Sequence, residues 1–166
     1  MTATEEFVHK LTDLKSGELG QLRNLAGVGL DESLRGFDLF AGLWWPLRQK
    51  SQRAPRREVA WLVAKLYAGC PMPQVPGASL AGQLRKCRPV ADPARSRFMK
   101  KVDAMLLLPV RRIEPALRWA LNLVGEQDRK LDWVMLTDDL SLWQRERTKV
   151  KWANEFLGYS EREVSC

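Results

Sequence analysis

The chain has 166 residues, 45% of them hydrophobic, which is enough to bury a core and too apolar for a disordered class. Its formal net charge of +7 favours a polyanionic partner. Cys70, Cys87 and Cys166 have neither metal-ligand spacing nor an even count for a disulfide framework, the N-terminal segment lacks the apolar core of a signal peptide, and the longest apolar run (residues 104–110) is too short to span a bilayer, so a cytoplasmic protein is expected. Residues 4–14 predict a helix capped by Thr4, with Phe7, Val8, Leu11 and Leu14 on its apolar side. Ser16 is the expected cap of a second helix, which carries Leu19, Leu22, Leu25 and Arg23 and ends near Ala26-Gly27. Gly27-Val28-Gly29 resembles the start of a glycine loop, but no strand precedes it, so it reads as a helix stop and turn.

In residues 37–47 the spacing of Phe37, Phe40, Leu43, Trp44 and Leu47 suits a helix, and Pro46 is expected to bend it or stop it near Trp45. The connector that follows, residues 48–57, carries Arg48, Lys50, Arg53, Arg56 and Arg57 and no acid. Arginines at the front of a helix oppose the usual dipole preference. They read either as a solvated basic loop or as an anion site built from guanidinium groups and open amides. Residues 58–68 are apolar almost all round, which predicts a helix buried on most sides.

Pro71, Pro73, Pro76 and Gly77 exclude a helix or a central strand over residues 71–78. This segment is the expected linker between an N-terminal lobe (1–70) and a C-terminal lobe (79–160), with 161–166 as a tail. Ser79 caps a short helix with Leu80 and Leu84. Pro93 opens the next, residues 94–108, with Phe98, Val102 and Met105 inward and Arg95, Arg97, Lys100 and Lys101 around the rest. Residues 109–114 are compatible with a helical turn or a loop, and Pro115 opens a helix through Leu117, Leu121 and Val124. Residues 131–158 form the last unit, a helical hairpin. Asp132 caps its first helix, and Trp133, Leu136, Leu140 and Trp143 make one apolar face. Its second helix is expected to turn Val150, Ala153, Phe156 and Leu157 inward, with Arg147 and Lys151 on a stripe outside that arc and Gly158 as a left-handed stop. No segment alternates with period two. The fold class is all-α, with about eight or nine helices in two packed bundles.

Residues for catalysis are not evident. His9 is the one histidine and lies on a terminal helix, so serine or cysteine triads lack a base. Asp138 and Asp139 are adjacent, and on a helix they diverge by about 100°, which suits capping and solvation better than a two-carboxylate site. Asp103 and Glu114 are isolated acids suited to ion pairs with neighbouring Arg or Lys. No phosphate-loop lysine motif, zinc spacing or calcium loop occurs, so neither enzyme activity nor a cofactor, metal or small-molecule substrate is expected. The charge is unevenly spread. Residues 41–118 hold 16 basic and 4 acidic residues, whereas 1–40 and 119–166 are each slightly acidic.

The ordered set of motifs resembles the CasB family, the small subunit of the type I-E CRISPR Cascade complex of antiviral defence. The hairpin carries the resemblance: Asp132-Trp133, then Leu136-Thr137-Asp138-Asp139-Leu140 and Trp143, the basic turn 145–147, and Trp152-Ala153-Asn154-Glu155-Phe156. Ser79-Leu80-Ala81-Gly82-Gln83-Leu84, Arg97-Phe98 leading to Leu117-Arg118, and Leu22-Arg23 match in the same order. Residues 106–115 depart from the pattern, being longer and carrying two prolines. The resemblance implies a two-lobed, non-catalytic protein present as two copies. Its implied partners are the backbone and large subunits, the guide RNA, the target DNA and the displaced DNA strand. Arg23, Arg85, Arg97, Lys100, Lys101, Arg111, Arg118, Arg145, Arg147 and Lys151 are the candidates for phosphate contact, Arg118, Arg97, Arg147 and Arg23 having the best motif support. Two other classes remain, a helical DNA-binding regulator and a structural spacer without nucleic-acid affinity. A regulator needs one exposed recognition helix, and the basic residues are instead spread over several segments.

Overall fold

A computed structural model describes residues 1–30, 32 and 36–158. Among these are nine α-helices and one short 3-10 turn. The first four helices are α1 (Ala3–Thr12), α2 (Ser16–Arg23), α3 (Phe37–Lys50) and α4 (Arg57–Gly69). Beyond the linker come α5 (Leu80–Lys86), α6 (Ala94–Leu107), α7 (Glu114–Gln127), α8 (Trp133–Ser141) and α9 (Glu146–Leu157). The 3-10 turn, Val110–Arg112, resolves the segment that the sequence leaves open. The expected tail, with Cys166, lies outside the described residues.

Helix α4 is the centre of the molecule. Every residue from Val59 to Ala68 is buried, and the helix packs against α2, α3, α7 and α8. Around it α1 lies on α3 and α8, while α5 lies on α7 and α9 and α6 on α7. One cluster of buried side chains joins residues from both sides of the linker, including Phe7, Leu66, Leu117 and Trp133. Of the seven Trp in the chain, Trp61, Trp133, Trp143 and Trp152 are buried, and Trp45 is half exposed.

The linker is fastened to the entry of α8. Val75 N–H donates to Leu131 O (3.0 Å), Asp132 N–H to Ala78 O (2.8 Å) and the Trp133 indole N–H to Met72 O (2.9 Å). The Asp132 carboxylate caps α8 by accepting from Met135 N–H at 3.0 Å. It also accepts from the Gln74 side-chain amide (2.8 Å) and from Gly77 N–H (2.9 Å). Burial opposes its ionisation, but these donors outweigh burial and hold Asp132 below the ordinary carboxylate range. The Ser79 cap on Gly82 N–H (3.1 Å) and the left-handed Gly158 (φ 85°) also form as expected.

Four local expectations are corrected. Thr2, not Thr4, caps α1, because Thr2 and Glu5 close a reciprocal capping box while the Thr4 hydroxyl donates to Asp138 at 2.7 Å. Ser16 is already helical, and Lys15 precedes it with its N–H donated to the Glu18 carboxylate (3.0 Å). Helix α3 continues through Pro46 to Lys50. Pro46 and Gly42, one turn before it, are both exposed, so the ring is accommodated at the surface. In α9 the inward face is Thr148, Trp152 and Phe156, while Val150 and Leu157 stay 50% and 46% exposed.

Candidate nucleic-acid interface

Seven of the ten predicted cations are exposed with no short hydrogen bond to the rest of the protein among the described residues. Helix α6 presents three of them. Its apolar residues Phe98, Val102 and Met105 recur at helical spacing and turn inward, which leaves Arg97, Lys100 and Lys101 on the solvent side. Lys101 Nζ lies 5.0 Å from the centre of the Trp119 ring on α7, a cation–π contact that ties α6 to α7. Arg85 lies in the last turn of α5, and its guanidinium covers the backbone of Gly158 so closely that a Cβ there would collide with it. Arg145 and Arg147 stand at the opposite end of α9, about 16–20 Å from Gly158 by helical rise, so they do not join Arg85. Arg111 projects from the 3-10 turn, its guanidinium no nearer than 3.9 Å to Glu58.

The remaining three are held by the protein. Arg23 Nε–H donates to Ala68 O at the end of α4 (3.2 Å). Arg118 donates to Glu114 Oε2 at 2.5 Å, and Lys151 to Asp139 Oδ1 at 2.6 Å. The basic connector is also partly internal. Arg48 donates to Gln52 O (2.8 Å) and Ala54 O (3.1 Å), Trp44 to Pro55 O (2.6 Å), and Arg56 to Ser141 O (3.3 Å). These contacts shape the loop, so Arg48 and Arg56 are not simply solvated.

Two buried acids organise this surface. Glu114 Oε1 accepts from Lys65 Nζ (2.6 Å), and its Oε2 accepts from Gly27 N–H (2.6 Å) as well as from Arg118. Lys65 also donates to Val28 O (2.8 Å), as does the Trp61 indole (2.9 Å). The glycine turn after α2 is thus tied to α4 and α7. Burial pushes the Lys65 ammonium below its ordinary pKa against the pull of Glu114. Asp139, expected at a solvated face, is instead 7% exposed, and its Oδ2 accepts from the Trp152 indole N–H (2.8 Å). Glu114 forms the expected ion pair with a nearby arginine. Its bond to Lys65 has one trace in the sequence, a lone lysine inside an otherwise apolar helix, which needs a buried partner.

A cavity of about 340 Å³ adjoins the Glu114 network. Glu32, Glu58 and Glu114 balance Arg57, Lys65 and Arg111 in its lining, so it carries no excess positive charge for a phosphate. Among the described residues no three His, Cys, Asp or Glu side chains gather for a metal ion, and no helix is long and apolar enough to cross a membrane. Burial raises the Cys70 and Cys87 thiols, which makes both poor nucleophiles.

Nine described helices round a Trp-rich core, with arginines and lysines on the outer faces of α5, α6 and α9, define a basic all-helical protein. The family model of the CRISPR-associated protein Cse2 matches residues 18–157. A Cse2-family CRISPR-associated protein from Thermus thermophilus superposes with a TM-score of 0.72 at 25% identity, over 95% of this chain and 99% of that one. CasB from M. ruber gives a TM-score of 0.73 at 20% identity, over 99% of this chain and 97% of the other. A structure described as CasB from Thermus thermophilus gives 0.71 at 24% identity, over 95% and 99%. Among curated proteins nothing matches. The chain belongs to the CRISPR-associated Cse2 family. Membership implies association with other components of the Cascade complex.

Proposed function

We propose that this chain is a non-catalytic small subunit of a type I-E Cascade complex that holds nucleic-acid backbone without reading bases. In this role it stabilises the guide-RNA/target-DNA hybrid and the displaced DNA strand. Its partners are the backbone and large subunits and a second copy of itself, in the cytoplasm. Exchange of a DNA duplex for an RNA–DNA hybrid is nearly balanced in free energy, so modest backbone contacts tip it. A cationic surface that takes phosphates keeps the displaced strand from re-annealing. The observation that carries the reading is the outer face of α6, where Arg97, Lys100 and Lys101 are all exposed on one helix.

The test is Arg97→Ala/Lys100→Ala/Lys101→Ala in the full chain, with single-stranded DNA titrated over a range of salt. Each lost phosphate contact lowers the log–log salt slope by about 0.7 on a single strand, so the triple variant should lose about 2. An unchanged slope removes α6 from the interface. The internal bonds of Arg23, Arg118 and Lys151 favour a second reading, a spacer whose charges serve its own fold. A parent chain that binds no DNA even at low salt supports that spacer, and binding that survives excess random DNA at one preferred sequence supports a regulator.

A further inference from the structure

Two of the phosphate-contact candidates share one arrangement. In each, a nearly buried carboxylate divides its oxygens between the scaffold and a surface cation. Glu114 gives Oε1 to Lys65 of α4 and Oε2 to Arg118, with Gly27 N–H also on Oε2. Asp139 gives Oδ2 to the Trp152 indole and Oδ1 to Lys151. The carboxylate side chains are 12% and 10% exposed, whereas those of Arg118 and Lys151 are 33% and 45% exposed. Each acid is therefore fixed by the core, while each cation reaches solvent with most of its donors unused among the described residues. A guanidinium has five N–H donors and an ammonium three.

The charges around Glu114 do not cancel. One carboxylate faces both Lys65 and Arg118, and Lys65 is 3% exposed, so the excess positive charge emerges at Arg118. A carboxylate on a surface arginine ordinarily weakens its hold on an anion. Here a second, buried cation shares that carboxylate, and what remains for Arg118 is orientation more than neutralisation.

We infer that Glu114 and Asp139 are positioning residues, which hold Arg118 and Lys151 in the rotamers that meet a nucleic-acid phosphate. The inference rests on the backbone-binding function proposed above. A long side chain loses rotamer freedom when it docks, and a side chain already held loses less. The consequence is a sign. Simple electrostatics says that neutralising an acid on a basic surface tightens DNA binding. Positioning says that it loosens binding, by about two- to tenfold per site.

The experiment uses the full chain and a fluorescein-labelled 30-nucleotide oligothymidine, read by anisotropy at low salt. Glu114→Gln, Arg118→Ala and their combination form one cycle, and Asp139→Asn, Lys151→Ala and their combination form a second. Expected is a loss of affinity for Glu114→Gln and for Asp139→Asn in the parent, and no further loss when the paired cation is already alanine. Tighter binding, or an equal loss in both backgrounds, overturns the inference. In Asp139→Asn the amide oxygen still accepts from the Trp152 indole, so this cycle decides the matter even where Glu114→Gln strands Lys65 and unfolds the protein. A parent chain that fails to bind overturns the functional reading itself, and a parent that binds while both cycles are additive overturns positioning alone.

Discussion

Replacing Asp132 by alanine tests whether one carboxylate fastens the linker to the second half of the molecule. The side chain accepts three hydrogen bonds: the Met135 N–H at the start of α8, the Gly77 N–H and the Gln74 amide. Loss of a helix cap costs about 1 kcal/mol, and hydrogen bonds to a charged group contribute about 1.5–3 kcal/mol in net terms. The three share one carboxylate, so their contributions do not simply add and the total expected for Asp132→Ala is about 2–4 kcal/mol. For a chain of this size that is a fall in Tm of about 5–15 °C. The pH dependence supplies a second check. The folded pKa of Asp132 lies below its ordinary 3.8. Its contribution is therefore complete above pH 3.8 and disappears as pH falls through the lowered folded value. Urea titrations of parent and variant, followed by circular dichroism between pH 7 and pH 3, should show a constant gap that closes only at the acid end. A loss below about 1 kcal/mol at pH 7 would refute the cap-and-clamp account, as would a gap indifferent to acid.

Four further substitutions probe other parts of the fold. Pro46→Ala should stabilise the protein by about 1–3 kcal/mol in urea unfolding, because alanine restores a helix donor opposite Gly42 and has far higher helix propensity. Val150→Ser should change stability by no more than about 0.5 kcal/mol, whereas Phe156→Ala should cost about 3–5 kcal/mol, since only the second side chain is buried. Gly158→Ala should cost about 1–2 kcal/mol from its left-handed backbone, and it should also displace the Arg85 guanidinium, seen as weaker binding to single-stranded DNA.

What could be read from the sequence was local. The caps at Ser79 and Asp132 and the stop at Gly158 work through bonds or torsions within a few residues, whereas the bonds from Asp132 to the linker are long-range and were not legible. Trp133, Leu136 and Leu140 of α8, with Trp143 just beyond it, are legible for the same reason, since they recur at helical spacing as one stripe. Helix α9 has two competing stripes, one through Val150 and Leu157 and one through Thr148, Trp152 and Phe156. Which of them faces inward is decided by α5 and by the Asp139 acceptor, which waits 13 residues before Trp152. At the candidate interface, the residue types and the helix that bears them were legible, but the acids beneath them were not. Glu114 and Lys65 are 49 residues apart, and a solvated glutamate and a buried one look alike in a sequence. The course of α3 through Pro46 goes with an exposed position for the ring, a detail that the general cost of proline in a helix conceals.

The position of α4 has a consequence for how the chain is made. Two of the helices that cover it, α7 and α8, are encoded after the linker, and α8 ends at Ser141, 72 residues beyond Gly69. At about 5–20 residues per second, a ribosome needs roughly 4–15 s to supply them after α4 has been polymerised. During that interval α2 and α3 can shield only part of a helix whose residues from Val59 to Ala68 all end up buried. A nascent chain paused in the linker therefore presents a sticky apolar helix with one lysine, Lys65, still waiting for Glu114.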